Sequence, residues 1–403
     1  MTLKHRWPNV LAWLQLIAML VALLSAIRGA GSEGPLAGPY ARWRNGPPTN
    51  ENYFPIAVWL QNPANAERFK AAGINLYVGL YNGPTSNQLA ALQKAGVSVI
   101  CSQRRGLQFK DNPTIVGWMH GDEPDNAQSL GQGKGYGPPI LPEKIVADYE
   151  RLRAADPTRP VLLNLGQGVA WDNWIGRGVR RNHPEDYPEY VKGCDIASFD
   201  IYPAVHDNAE VAGKLEFVAR GVERLRNWAG PERPVWNCIE CTRISNVETK
   251  PTPQQVRTEV WMSLIHGSRG LIYFVHQFKP TFREPALLDD PEMLAAVTAI
   301  NQQIHQLAPV LNSPSITNGV VVKSSATDAP IAWMMKRRAG ATFLFAVNMR
   351  NRPTRGSFAL REMPTRASAE VLSESRSIQV TNGEWADEFA GYAVHLYRVD
   401  ATK

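Results

Sequence analysis

Short apolar runs alternate with longer stretches of helical spacing from Phe54 to Leu307. An apolar run bounded by Gly, Pro or Asn suits a buried strand, whereas apolar residues three and four apart suit a helix lying on it. The first pair is Phe54–Leu60 followed by Pro63–Ala72, with Asn62 placed to cap the helix. The second is Ile74–Leu80 followed by Thr85–Lys94, separated by the breaker Asn82-Gly83-Pro84. Strands are then expected at Val97–Cys101, Ile115–His120, Pro160–Leu165, Asp195–Tyr202, Pro234–Glu240 and Gly270–Phe274. Helices are expected at Pro142–Ala155, Glu210–Trp228, Pro253–His266 and from about Pro291 to Leu307. Strands alternating with helices of these lengths imply parallel pairing through crossovers. Eight such steps predict an α/β fold, a (β/α)8 TIM barrel over residues 53–311.

From Asn312 the pattern changes to short alternating runs separated by turn residues: Gly319–Lys323, Ile331–Lys336, Thr342–Asn348, Gly356–Leu360, Ala369–Leu372, Ser377–Val380 and Ala393–Arg398. They predict a small C-terminal antiparallel β-sandwich domain over residues 312–403, whose expected role is to cover apolar barrel surface.

The N-terminus carries a different signal. Lys4, His5 and Arg6 precede an apolar run from about Val10 to Ile27 and small residues through Ser32, which predicts a secretory leader over residues 1–30 and a Gly- and Pro-rich linker over 31–52. A secreted or periplasmic protein is expected. An uncleaved membrane anchor is the alternative, because the run is long for a leader and lacks an Ala-x-Ala site. Lys4, Arg6 and Arg28 account for half of the formal charge of +6, and the remaining +3 is too small an excess to argue for a nucleic-acid partner. Of the four cysteines, Cys238 and Cys241 form a Cys-x-x-Cys, but no second ligand pair at comparable spacing exists for zinc. Structural thiols or one disulfide are expected, and no metal or other cofactor.

In a barrel of this kind reactive groups collect at the C-terminal strand ends, where loops converge over one mouth. Two carboxylates stand there. Ile115–Asn126 begins as a buried strand, breaks at Gly121 and delivers Asp122 and Glu123; Glu240 ends the seventh strand, with Trp236 and Cys238 on the same face by alternation. Retaining glycoside hydrolysis needs such a pair, one carboxyl to protonate the leaving oxygen and one to attack the anomeric carbon from about 5–5.5 Å away. Alone, Glu123 could cap a turn and Glu240 could hold an ion pair; their joint placement on strands four and seven is the signal. Candidate substrate contacts are His120, Asp122, Asn164, Asp200, Tyr202 and His276, with Trp59 and Trp236 as platforms for the flat C–H faces of sugar rings. Two long excursions flank the mouth: Gly131–Pro139, which lacks the spacing of a phosphate cradle, and Asp172–Tyr190, whose Arg177, Arg180 and Arg181 read as a solvated basic loop or a receiver of acidic sugars.

On these residues the chain resembles the clan A superfamily of (β/α)8 retaining glycosidases. The resemblance covers about Phe54 to Leu307 and rests on Gly121-Asp122-Glu123-Pro124, Asp200-Ile201-Tyr202-Pro203 and Glu240. It implies that Glu123 is the acid/base, Glu240 the nucleophile and Tyr202 a hydrogen-bond donor to the nucleophile. Two departures stand out. Asp122 replaces the Asn that most members carry for the sugar's 2-hydroxyl, and Tyr273, Phe274 and His276 occupy the region of the clan's strand-eight Trp. The expected function is an exported retaining hydrolase of an oligo- or polysaccharide. A transglycosylase using the same carboxylates and a non-catalytic carbohydrate-binding barrel are the alternatives.

Overall fold

The computed structural model describes residues 38–361 and 365–400; the leader expected at residues 1–30 lies outside the described residues. Eight parallel strands form the barrel: β1 (Ile56–Trp59), β2 (Leu76–Val78), β3 (Ser98–Ser102), β4 (Ile115–Met119), β5 (Val161–Leu165), β6 (Ile196–Phe199), β7 (Asn237–Glu240) and β8 (Leu271–Phe274). Each pairs with its neighbour in sequence, β6 meets β7 through the Ala197–Val235 bridge, and β8 returns to β1 in register Val58–Tyr273, which closes the ring. Ala57, Val78, Ile100, Val116, Leu162, Ile196, Cys238 and Ile272 fill the interior as one buried cluster. At the N-terminal end Tyr40 plugs it, donating to the Arg269 carbonyl at 2.9 Å and accepting from Trp236 Nε1 at 2.9 Å.

The helices start where the chain satisfies their first N–H groups. Thr85 with Gln88 and Thr252 with Gln255 form reciprocal capping boxes ahead of Ser86–Ala95 and Pro253–Ile265, and Asp290 accepts from Met293 N at 3.1 Å ahead of Pro291–Leu311. The helix expected from Glu210 begins at Glu216 and ends at Ala229. Gly213, at φ 74°, turns the chain left-handed just before it, a break that helical spacing alone does not reveal.

Pro253–Ile265 is buried on nearly every side because it is sandwiched between barrel and C-terminal domain. Trp261 packs on Phe345 at 5.1 Å, and Thr258 Oγ1 donates to the Tyr392 carbonyl at 2.7 Å. The C-terminal domain has eight antiparallel strands in the order β10-β11-β16-β13-β14-β15-β12-β9. They are β9 (Val320–Ser324), β10 (Ile331–Arg338), β11 (Ala341–Asn348), β12 (Thr354–Leu360), β13 (Arg366–Val371), β14 (Arg376–Thr381), β15 (Glu384–Phe389) and β16 (Val394–Asp400). Side chains from all eight share one core around Phe358, Trp385 and Tyr397, so the sheet curls over itself. The strand Glu384–Phe389 adds to the seven runs legible in the sequence.

Candidate active site

β4 ends at Met119, and the chain then crosses the mouth as Gly121-Asp122-Glu123-Pro124-Asp125. Glu123 has φ 41°, a left-handed conformation that a Glu adopts only when its surroundings hold it there. Asp125 supplies much of that hold. It is fully buried, accepts from Gly166 N at 2.9 Å and from Tyr187 Oη at 3.0 Å, while its own carbonyl accepts from Arg177 Nε at 3.3 Å. Arg177 is itself buried and paired with Asp186 at 2.6 Å, so it clamps this loop and is neither solvated nor open to an acidic sugar. Gly166 is required for a different reason: a Cβ there would meet the Asn126 amide and, at 2.9 Å, Glu123 Oε1.

Inside the mouth a polar rung runs from β6 across β5 to the loop after β4. Ser198 Oγ donates to Asn164 Oδ1 at 2.7 Å, and Asn164 Nδ2 donates to Asp122 Oδ1 at 3.0 Å. The first bond orients the amide for the second. Asp122 is exposed and Glu123 and Asp200 are half-buried as residues, but the protein around their carboxyl groups makes desolvation the largest influence on their ionisation. It pushes Asp122 up to about 6, and it raises Glu123 well above the carboxylate range with the help of the Asp200, Asp122 and Asp125 charges. Glu123 and Asp200 interact directly, and each holds the other's charge in check: both are raised, Glu123 the further. Next to them Asp200 Oδ1 and Tyr202 Oη are buried beside each other without a well-formed hydrogen bond.

Glu240 has other partners. It is sealed from solvent and accepts from the backbone N–H groups of Ala204 at 2.6 Å and Val205 at 3.0 Å. Its remaining neighbour is Glu259 on the helix Pro253–Ile265, also fully buried, whose two carboxyl oxygens find no conventional donor. Burial pushes Glu240 up to about 7 and raises Glu259 well above the carboxylate range, the N–H groups that favour charge on Glu240 having no counterpart at Glu259. Tyr202 and Ala204 are two residues apart, a span of at most about 7 Å, so one loop after β6 serves both carboxyl pairs.

The structure thus gathers Glu123, Asp122, Asn164, Asp200 and Tyr202 into one cluster, and β7 adds Cys238 beside Asp200 and Tyr202. Trp59 ends β1 in the interior cluster on which Tyr202 and Phe274 pack, and His276 lies buried after β8, 3.2 Å from the Gln61 amide nitrogen. His120 and Trp236 are set apart. The His120 ring bonds the Gly193 carbonyl at 2.8 Å, and burial holds its pKa down at about 4. Trp236 precedes β7 and belongs to the plug at the far end of the barrel. Asp125 and Glu259 are residues the sequence reading passed over. Their signals were a third acid within four residues and a lone acid in the apolar run Val256–Ile265. All four cysteines are buried and unpaired.

No protein-family model and no curated protein sequence matches the chain. Solved structures do match in shape. A catalytic mutant of Gan42B, a GH42 β-galactosidase from G. stearothermophilus, superposes with TM-score 0.56 at 9% identity, covering 90% of this chain and 100% of that one. This chain shares the fold of that structure. AmyP in complex with maltose gives 0.52 at 9% identity over 86% of this chain and 96% of that one. An α-amylase from Geobacillus thermoleovorans complexed with acarbose gives 0.50 at 9% over 88% and 99%. The coverage takes in barrel and β domain together.

Asp200 offers a check on the cluster's electrostatics. Burial pushes its pKa up to about 7 from an ordinary 3.8. Below about pH 4 both folded and unfolded chains hold this proton, so the contribution to stability is intact; it is lost as pH rises through the folded value. The Asp200→Asn protein lacks that loss. Its Tm relative to the parent should therefore rise by a few degrees between pH 4.5 and pH 8, read by calorimetry at both pH values. A pH-independent difference would contradict the burial of this charge.

Proposed function

We propose that the protein hydrolyses the O-glycosidic bonds of an oligo- or polysaccharide by double displacement, with Glu123 as acid/base and Glu240 as nucleophile. The observation that carries this reading is the half-buried Glu123 carboxyl just beyond the end of β4, gathered with Asp122 and Asp200, whose burial and neighbouring charges push its pKa up, in a fold seen in solved glycosidases. A carboxylic acid that keeps its proton near neutral pH can deliver it to a departing sugar oxygen. The second requirement is a negative charge on Glu240: two backbone N–H groups stabilise its anion, and because burial outweighs them and pushes its pKa up to about 7, the charge is full only above that value. Glu240 attacks only once the Ala204–Val205 turn frees one of its oxygens. Export through the 1–30 leader belongs to the same proposal.

A second reading gives the partner role to Asp200, which already lies beside Glu123 where solvent reaches, whereas Glu240 is enclosed. Reducing-end assays over plant and microbial polysaccharides test the common part of both readings. Release of reducing sugar from at least one glycan is expected; inertness on all of them would overturn the hydrolase reading.

A further inference from the structure

A continuous series of ring contacts leads from the carboxyl cluster to the surface. Tyr202, beside Asp200, packs on Phe274 with ring centroids 5.3 Å apart. Phe274 packs on His276 at 5.2 Å, and His276 stacks almost parallel on Phe278 at 6.0 Å. Phe278 then meets Phe282 at 5.8 Å. Tyr202 and Phe274 are half-buried and His276 is buried, whereas Phe278 is 46% exposed and Phe282 63%.

The two outer rings are held out by backbone structure. Gln277 and Arg283 exchange N–H···O bonds of 2.9 and 2.8 Å, closing a hairpin with Phe278 and Phe282 just inside its ends. Phe278 N also donates to the Ile244 carbonyl at 2.6 Å, which ties the hairpin to the loop after β7. Single exposed apolar residues are common, but two exposed rings in contact on a pinned hairpin, continuous with a polar cluster in the mouth, are not a scattered pair. Polar groups stand beside them. An adjoining cavity of about 450 Å³ shares Gln277 and Arg283 with the hairpin and is lined further by Thr242, Arg243 and Lys250. Apolar ring faces flanked by hydrogen-bonding side chains match a sugar, which presents flat C–H faces and a rim of hydroxyls.

We propose that Phe278 and Phe282 form a stacking platform for sugar rings beyond the scissile bond, so that the substrate is an extended glycan running from Glu123 out across the hairpin after β8. The inference rests on the hydrolase reading and deepens it: the platform is of use only to a chain of several sugars. The test compares kcat/KM for a hexasaccharide with that for the matching disaccharide, using cello-, xylo- and malto-oligosaccharides. In the Phe278→Ala, Phe282→Ala double variant the hexasaccharide preference should fall by about tenfold or more. The Phe278→Tyr, Phe282→Tyr pair, which keeps the ring faces, should retain it. Phe282→Ala alone, at the more exposed position, should show a smaller fall and serves if the double variant does not fold. An unchanged preference in the Ala variants, with the parent active, would overturn the platform and leave the hydrolase reading standing. An unchanged preference accompanied by altered self-association in sedimentation would do the same and assign the rings to a protein contact. A parent that cleaves none of the hexasaccharides would remove both.

Discussion

Replacing Glu123 by Gln should lower kcat on unactivated glycosides by about 10²–10⁴-fold, the usual worth of a positioned proton donor. The amide keeps the size and the left-handed backbone of the original, and it can still donate to Asp200, so the fold should survive. What it lacks is a transferable proton. Substrates with good leaving groups, such as dinitrophenyl glycosides, need no protonation to depart, and for them the first step should be largely spared while the second, which needs Glu123 as base, slows. The expected signature is a loss in kcat/KM, which reports the first step, that shrinks as the leaving group improves, measured across a series of aryl glycosides. A loss independent of the leaving group would place Glu123 outside proton transfer.

Glu240→Ala should remove turnover altogether on every substrate, irrespective of leaving group, if Glu240 forms the covalent intermediate. The substitution also leaves the Ala204 and Val205 N–H groups and the Glu259 carboxyl without their partner, so a loss of stability of about 1–3 kcal/mol is expected beside the loss of activity. Two readouts separate the effects. Denaturation reports the structural part, and added azide, small enough to occupy the vacated space and attack in place of the carboxylate, should restore turnover of an activated glycoside as a glycosyl azide of inverted configuration. If the folded Glu240→Ala protein keeps its activity while Asp200→Asn loses it, the partner of Glu123 is Asp200.

The barrel was legible because each of its strands is an apolar run broken by turn residues, and those breaks survive in the sequence whatever the packing. Strand ends were less so. Asp195, Asp200 and Tyr202 extend the apolar pattern around β6, yet only Ile196–Phe199 pairs, and Asp195 spends its carboxylate on Val161 N and the Tyr149 hydroxyl. The same limit misplaced Trp236: whether a residue opens or closes a strand depends on pairing with neighbours, and Trp236 falls just before β7. Within the cluster, Glu123, Asp122 and Asp200 stood out as candidates because acids at strand ends are conspicuous. The partners that set their charge could not, since Asp125, Arg177 and Glu259 act through burial and hydrogen bonds made across 40 residues or more, or between elements. The Phe278–Phe282 hairpin escaped for a related reason, as a loop carries no periodicity to read.

The most direct test of the account is a proton NMR time course of glycan cleavage by the parent protein, resolving the anomeric form of the first sugar released. Double displacement by Glu123 and a second carboxylate predicts that the newly formed reducing end keeps the anomeric configuration of the bond that was cut. A product that first appears with inverted configuration, or a panel of glycans left uncut, would contradict it.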